Sequence, residues 1–223
     1  MSPTGYGAHS IAAGRELFQQ DCASCHGQDA RGRGPIAVAQ PVWPPDLSAP
    51  LIAGRPGGEL FWSIRHGIGP MPPAAQLDDA AIWSLIDFIR LRAGARIFSP
   101  SEMRWSGTPR MPGFVARCAD GTIIAPGNGK LLQPWIGRDE HGANAQAQAD
   151  GADARCPVED PQPLAAALAE LTGSPSPPAQ VLVDANGWLR RAFRTEGDAS
   201  PAVVASELTL IREHPLGGSA LHH

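Results

Sequence analysis

Apolar residues follow two different rhythms along this 223-residue chain. In "LDDAAIWSLIDFIRLRAG", Ile82, Leu85, Ile86 and Ile89 recur every three or four positions, which predicts a helix. Asp78 is its expected N-cap, Arg90 and Arg92 lie near its C-terminus, and Gly94 closes it. A shorter helix in "HSIAAGRELFQQDC" puts Ile11, Gly14, Leu17 and Phe18 on one face, with Ser10 as N-cap. Past residue 98 the rhythm changes. "MPGFVARCADGTII" predicts two short strands about an Asp120-Gly121 turn, and "ADARCPVED" a strand ending near Pro157. "AQVLVDANGWLRRAFR" predicts a hairpin turning at Asn186-Gly187. "PQPLAAALAELTG" reads as a helix entered through proline and closed by Gly173, and "SPAVVASELTLIREH" as a terminal helix from Ser200 and Pro201. The expectation is a multi-domain chain: an all-α domain at 1–97, then an α/β domain at 98–223.

Proline and glycine, 23 and 25 residues, punctuate this pattern unevenly. Residues 94–113 read as a linker between domains, and 125–151 as a long loop within the second. The net charge is −4, Lys130 is the only lysine, and there is no basic run or aromatic-basic stripe, which argues against a nucleic-acid partner. No apolar stretch approaches the ~20 residues of a membrane-spanning helix. "SPTGYGAHS" after Met1 lacks the charged and apolar regions of a signal peptide, so a signal or membrane anchor would lie upstream of this chain.

Candidate chemistry concentrates in "CASCH", residues 22–26, where two of the four cysteines sit beside a histidine. A zinc site would need two more ligands at similar pitch, and no second C-x-x-C occurs. A redox dithiol would follow a strand rather than a helix, and a structural disulfide would not need the histidine. Covalent haem attachment uses all three groups: two thiols for the vinyl groups and the imidazole for iron. The setting favours that reading. A helix precedes the motif, "GQDARGRGP" follows it as a glycine-punctuated loop, and "RHGIGPMPP" holds Met71 between prolines. A thioether is a soft ligand suited to the second axial position on haem iron.

Residues 10–95 resemble a small class I cytochrome c. The resemblance rests on "CASCHG", the "GRGP" after it, "PPDLSAP" at 44–50, "IRHGIGPMPP" and the final helix ending "LIDFIR". It implies one covalent haem c on Cys22 and Cys25, with iron ligated by proximal His26 and distal Met71. It also implies that a proline carbonyl near Pro35 accepts the other imidazole N–H, and that Gly14 and Phe18 cross against Phe88. Arg65, Trp62 and Trp43 are candidate donors to the haem propionates, with ordinary surface or core roles as the alternative. His66 is the rival distal ligand. Met71 could instead be a core methionine, but Met103 and Met111 lack its "GxxxMP" setting.

The second half resembles the thioredoxin-like fold in its Sco and TlpA branches, chiefly through "VLVDANGWLR" and "PGFVARCADGTII". Pro178 matches that family's cis-proline. The dithiol expected after the first central strand is missing, and its place falls on the loop around "GKLLQPWIGRDEHGANAQ". Dithiol and copper chemistry therefore do not carry over, and the domain reads as a degenerate interaction or structural module. Cys118 and Cys156 leave three readings open: a disulfide between neighbouring strands, two separate buried thiols, or a copper site with His141. His222 and His223 are assigned no role.

Iron held by both His and Met has no open coordination position, which points to a one-electron carrier rather than an enzyme. The expected partners are redox proteins, and the expected compartment is the periplasm, with or without a membrane anchor. The rivals are a haem-linked thiol-redox or copper-chaperone protein and a haem-based sensor. The rim "GIGPMPPAAQ" is apolar, so docking through it would depend little on salt.

Overall fold

The computed structural model describes residues 2–105, 107, 109–139, 142–150 and 155–214. The chain divides into two units, Met1–Arg96 and Ile97–His222.

The first unit is helical. Its chain runs without a break from α1 (Ala8–Leu17) through one π-helical turn (Phe18–Cys22) into α2 (Ala23–His26). After a loop with a single 3-10 turn come α3 (Pro50–Ala53), α4 (Gly57–His66) and α5 (Asp79–Ala95). Ser10 is not the cap of α1, which begins two residues earlier with Gly7 at the N-cap. The Ser10 hydroxyl instead donates to the fully buried carboxylate of Asp87 on α5, as does that of Thr4. Asp78 caps α5 as expected, accepting from Ala81 N–H at 2.8 Å, but the helix continues past Gly94, which is buried inside its last turn.

α1 crosses α5 at Gly14. A Cβ built there would meet the Ser84 carbonyl oxygen at 1.9 Å, so only glycine lets the two backbones come this close. The Phe18 and Phe88 rings pack beside the crossing with centroids 5.2 Å apart. Ile11, Ile82, Leu85, Ile86 and Ile89 complete the buried layer.

The second unit is sheet-rich. Two short ribbons, β1 (Phe98–Ser99) with β2 (Arg104–Trp105) and β3 (Ala116–Arg117) with β4 (Ile123–Ile124), precede the main sheet. That sheet combines β5 (Leu132–Asp139), β6 (Gly142–Ala149), β7 (Cys156–Pro157), β8 (Gln180–Val183) and β9 (Leu189–Phe193) in the order β7-β6-β5-β8-β9. Every pairing in it is antiparallel. The helix α6 (Pro161–Leu171) lies against β6. From α7 (Pro201–Glu213), Val204, Leu208 and Ile211 pack on Leu131, Leu182 and Phe193.

Two sequence expectations change. Residues 94–113 are not a free linker: the β1/β2 ribbon and its neighbours are fastened along β9. Arg191 donates to the Glu102 carbonyl at 2.7 Å, Arg194 donates to that of Pro100 at 2.6 Å, and Ala192 N–H donates to Met103 O at 2.9 Å. Residues 125–151 are not a long loop either, because β5 and β6 pair along eight residues each. Their period-two core face is built from Leu132, Pro134, Ile136, Ala145, Ala147 and Ala149, and alanine and proline carry little strand signal. The segment where a dithiol would sit is therefore a hairpin. Among the described residues no peptide bond is cis, so Pro178 does not match a cis-proline.

Cys118 and Cys156 form a disulfide, Cα–Cα 4.7 Å, that fastens the β3/β4 ribbon to the edge strand β7. This consumes both thiols of the copper reading; its third ligand, His141, lies outside the described residues. Among the described residues no helix is long and apolar enough to cross a membrane.

Two outcomes follow from this packing. Gly14→Ala forces α1 and α5 apart and lowers the first unit's stability by at least about 2 kcal/mol, read by thermal denaturation. Reducing Cys118–Cys156 costs the second unit about 2–5 kcal/mol in denaturant melts and leaves the first unit's transition in place.

Candidate functional site

Cys22 ends the π turn, and Cys25 and His26 occupy the one-turn helix α2. Both thiols are free and half-buried. Burial pushes the Cys22 thiol up to about 12, with the negative charge of Asp21 and the neighbouring Cys25 adding to it. The neutral thiol is thus the resident form of Cys22. His26 is 7% exposed. Burial lowers its proton affinity, and the Pro45 carbonyl beside it partly opposes that shift. Nδ1 does not reach full hydrogen-bond geometry with any partner, so the Pro45 contact acts as an electrostatic pull on the ring. The carbonyl facing the imidazole is thus that of Pro45, in "PPDLSAP", and not that of Pro35, whose side chain is exposed. A neutral imidazole keeps a lone pair available for a metal.

The loop after the motif is fastened to it by main-chain bonds. Gly32 N–H donates to His26 O at 2.7 Å, Gly34 N–H to Cys25 O at 2.9 Å, and Ile36 N–H to Ser24 O at 3.1 Å. A Cβ at Gly34 would lie 2.2 Å from the Ser24 carbonyl, so glycine is required for that approach. On the core side, the Phe18 ring lies 6.5 Å from the His26 ring.

Met71 is set by a different device. α4 ends at Gly67, whose φ of +78° is open to glycine, and whose Cβ would strike Met71 O at 2.4 Å. Ile68 and Met71 then exchange two main-chain bonds, 3.1 and 2.9 Å, closing a tight turn over Gly69-Pro70. Ala74 N–H donates to Ile64 O at 3.0 Å and ties the far side of the loop back to α4. Met71 itself is half-buried. Of the other methionines, Met103 accepts from Arg194 Nε at 3.2 Å and Met111 is 3% exposed, both within the second unit.

Arg65 is engaged in the scaffold. Its guanidinium donates to Leu77 O at 2.5 Å and to the Asp79 carboxylate, which locks α4 to the start of α5. His66 is exposed, stacked on Trp62 with ring centroids 4.8 Å apart, and its Nδ1 lies 3.1 Å from Trp62 O. Trp43 lies under the Arg33 guanidinium at 5.8 Å.

The apolar surface of this unit fits a haem. Ile36, Val38, Val42, Trp43, Leu51, Trp62 and Ile68 each leave 47–79% of their surface open. All seven lie in the stretch between His26 and Met71. A large planar apolar ring would bury such surface, whereas a zinc ion would not. Among the described residues no cluster of three or more His, Cys, Asp or Glu side chains could hold a metal ion.

Residues 9–89 match the family model described as cytochrome C oxidase, cbb3-type, subunit III. The cbb3-type cytochrome c oxidase subunit CcoP of Azospirillum sp. is 30% identical over 91 residues, 40% of this chain and 31% of that protein. Its counterpart in Azospirillum brasilense is 30% identical over 92 residues, and the subunit FixP of Rhizobium etli 31% over 86, covering 30% and 28% of those proteins. A reducing HAO-like protein complex of Kuenenia stuttgartiensis aligns over 38% of this chain and 44% of its own, at 27% identity and a TM-score of 0.35. The chain thus spans under a third of the curated relatives it matches. Residues 9–89 form a haem-binding, electron-transfer domain of the c-type cytochrome class. Within that class the domain is like subunit III of the cbb3-type oxidases, and a sheet-rich domain follows it.

Proposed function

We propose that the chain is a monohaem c-type cytochrome that carries single electrons between redox proteins in the periplasm, with or without a membrane anchor in a segment outside this chain. Cys22 and Cys25 would hold the haem through thioethers, and His26 and Met71 would be its axial ligands. The given sequence contains one C-x-x-C-H, which supports one haem c on this chain. The observation that carries this reading is the buried, neutral-leaning imidazole of His26 in one motif with two free, half-buried cysteines. The bound haem supplies a reversible one-electron couple.

The polypeptide's task is to keep that couple from rearranging. The loop bonds to Ser24, Cys25 and His26 hold the proximal side, and the Ile68–Met71 turn stiffened by Pro70, Pro72 and Pro73 holds the distal side. Proline lowers the freedom that the Met loop would gain on release. Two filled axial positions leave no place for a substrate, which favours a carrier over an enzyme or a gas sensor. The second unit, with helix, hairpin and helix in the order of α6, β8, β9 and α7, is read as a degenerate thioredoxin-like module serving interaction or structure. The names of the relatives place those proteins in cbb3-type oxidases, and a respiratory redox protein is the class of partner they support.

Met71→Ala is expected to abolish the weak far-red charge-transfer band of sulfur on ferric iron while the haem stays covalently attached. Retention of the band would move the assignment to Met103 or Met111. Ile68, Gly69 and Pro70 are exposed on the distal rim. With no charged side chain from Gly67 to Gln76, the electron-transfer rate is expected to change less than about threefold as ionic strength rises through the physiological range. Stopped-flow kinetics with an uncharged electron donor and with a physiological partner check this, and a steep fall with salt overturns apolar docking.

A further inference from the structure

The alternation of β5 and β6 sends Gln133, Trp135, Asn144, Gln146 and Gln148 to the face opposite their buried residues. α7 covers the sheet at Leu182 and Phe193, on β8 and β9. A separate cleft of about 430 Å³ is lined by Trp135, Gly137, Asn144, Gln146, Arg155 and Glu196, among others. That volume lies within the range of ligand clefts, roughly 300–1,000 Å³.

Two charged groups define what the cleft can take. The guanidinium of Arg155 stacks on the Trp135 ring at 3.9 Å, which restrains the side chain and leaves its N–H edge free to meet an anion. Glu196 supplies the opposite charge. Among the described residues no hydrogen bond or ion pair engages either side chain, and they do not pair with each other. Gln146 lines the same cleft with an amide that both donates and accepts. At the strand below, a Cβ on Gly137 would meet Asn144 Oδ1 at 2.6 Å, so its missing side chain lets that amide lie across the strand.

A neutral ligand would compensate neither charge. A ligand with one charge would satisfy one group and face repulsion from the other. A ligand with oppositely charged ends answers both, and a peptide bond matches the donor and acceptor of the Gln146 amide. We propose that this cleft binds a short zwitterionic peptide, with its carboxylate on Arg155, its ammonium group on Glu196 and its amide against Gln146. This site is independent of the haem-binding unit.

The test titrates the full-length holoprotein with L-alanyl-L-alanine by calorimetry and amide NMR. Saturable binding is expected, weakened on the order of tenfold when the dipeptide is N-acetylated or C-amidated. Arg155→Gln is expected to erase the preference for a free C-terminus, and Glu196→Gln the preference for a free N-terminus. Both positions are exposed, and an unchanged haem spectrum and melting temperature confirm that each variant is folded. No saturable binding at millimolar dipeptide, equal binding of the doubly blocked peptide, variants without effect, or cellobiose binding in its place would each overturn the proposal.

Discussion

The contact between α1 and α5 at Gly14 sets the geometry on which the haem-binding unit depends. With the helix backbones this close, Phe18 reaches Phe88, and Phe18 in turn lies beside His26. Because α1 runs through the π turn into α2, the position of the whole Cys22–His26 motif is inherited from where α1 meets α5. A side chain at residue 14 would therefore act on the candidate ligand through the helix, without touching it. The π turn matters for the same reason. It adds backbone between the buried face of α1 and the motif, so Cys22, Cys25 and His26 need not follow the α-helical register of Ile11 and Gly14.

Burial then selects protonation states. Both the Cys22 thiol and the His26 imidazole are pushed toward their neutral forms by loss of water. Neutral imidazole is the form that can ligate iron. For His26, whose proton affinity falls on folding, the sign is definite: folding favours the unprotonated ring, and protonation below the ordinary histidine range works against the fold. The Pro45 carbonyl opposes that shift only in part, while orienting the same ring.

Much of the first unit was legible because its signals are local. C-x-x-C-H, the proline-bracketed Met71 and the Asp78 cap are each encoded within a few residues, and Gly14, Phe18 and Phe88 followed from the class I cytochrome c resemblance. Legibility failed where a residue's role depends on something far away in sequence. Pro35 lies beside the motif through its neighbours Gly34 and Ile36, but the carbonyl that acts on the His26 ring is that of Pro45, brought in as the loop folds back through bonds such as Leu47 N–H to Ala30 O at 2.8 Å. For Arg65 the sequence left a propionate donor and an ordinary scaffold role side by side, because its partners Leu77 and Asp79 lie across the Met loop. In the second unit, the β5/β6 hairpin was hidden because its inward face is half alanine. Burial there comes from close strand pairing and not from bulky β-branched residues, so the period-two pattern has almost no hydrophobic contrast.

Ser10 shows how one misread residue can reveal a constraint. Serine two residues into a helical pattern is a reasonable N-cap, but here the hydroxyl turns away from its own helix toward Asp87. That carboxylate is fully buried, and one of its oxygens takes both hydroxyls while the other has no partner among the described residues. Burying a carboxylate with so few donors is costly unless it secures something else. What it secures is the segment from Thr4 to Ser10, held against α5 three residues past the Gly14 contact at Ser84. The close approach at Gly14 has little surface of its own to resist sliding, because a glycine offers no side chain to interlock. A directional polar anchor one helical turn away supplies the register that apolar packing at that point cannot.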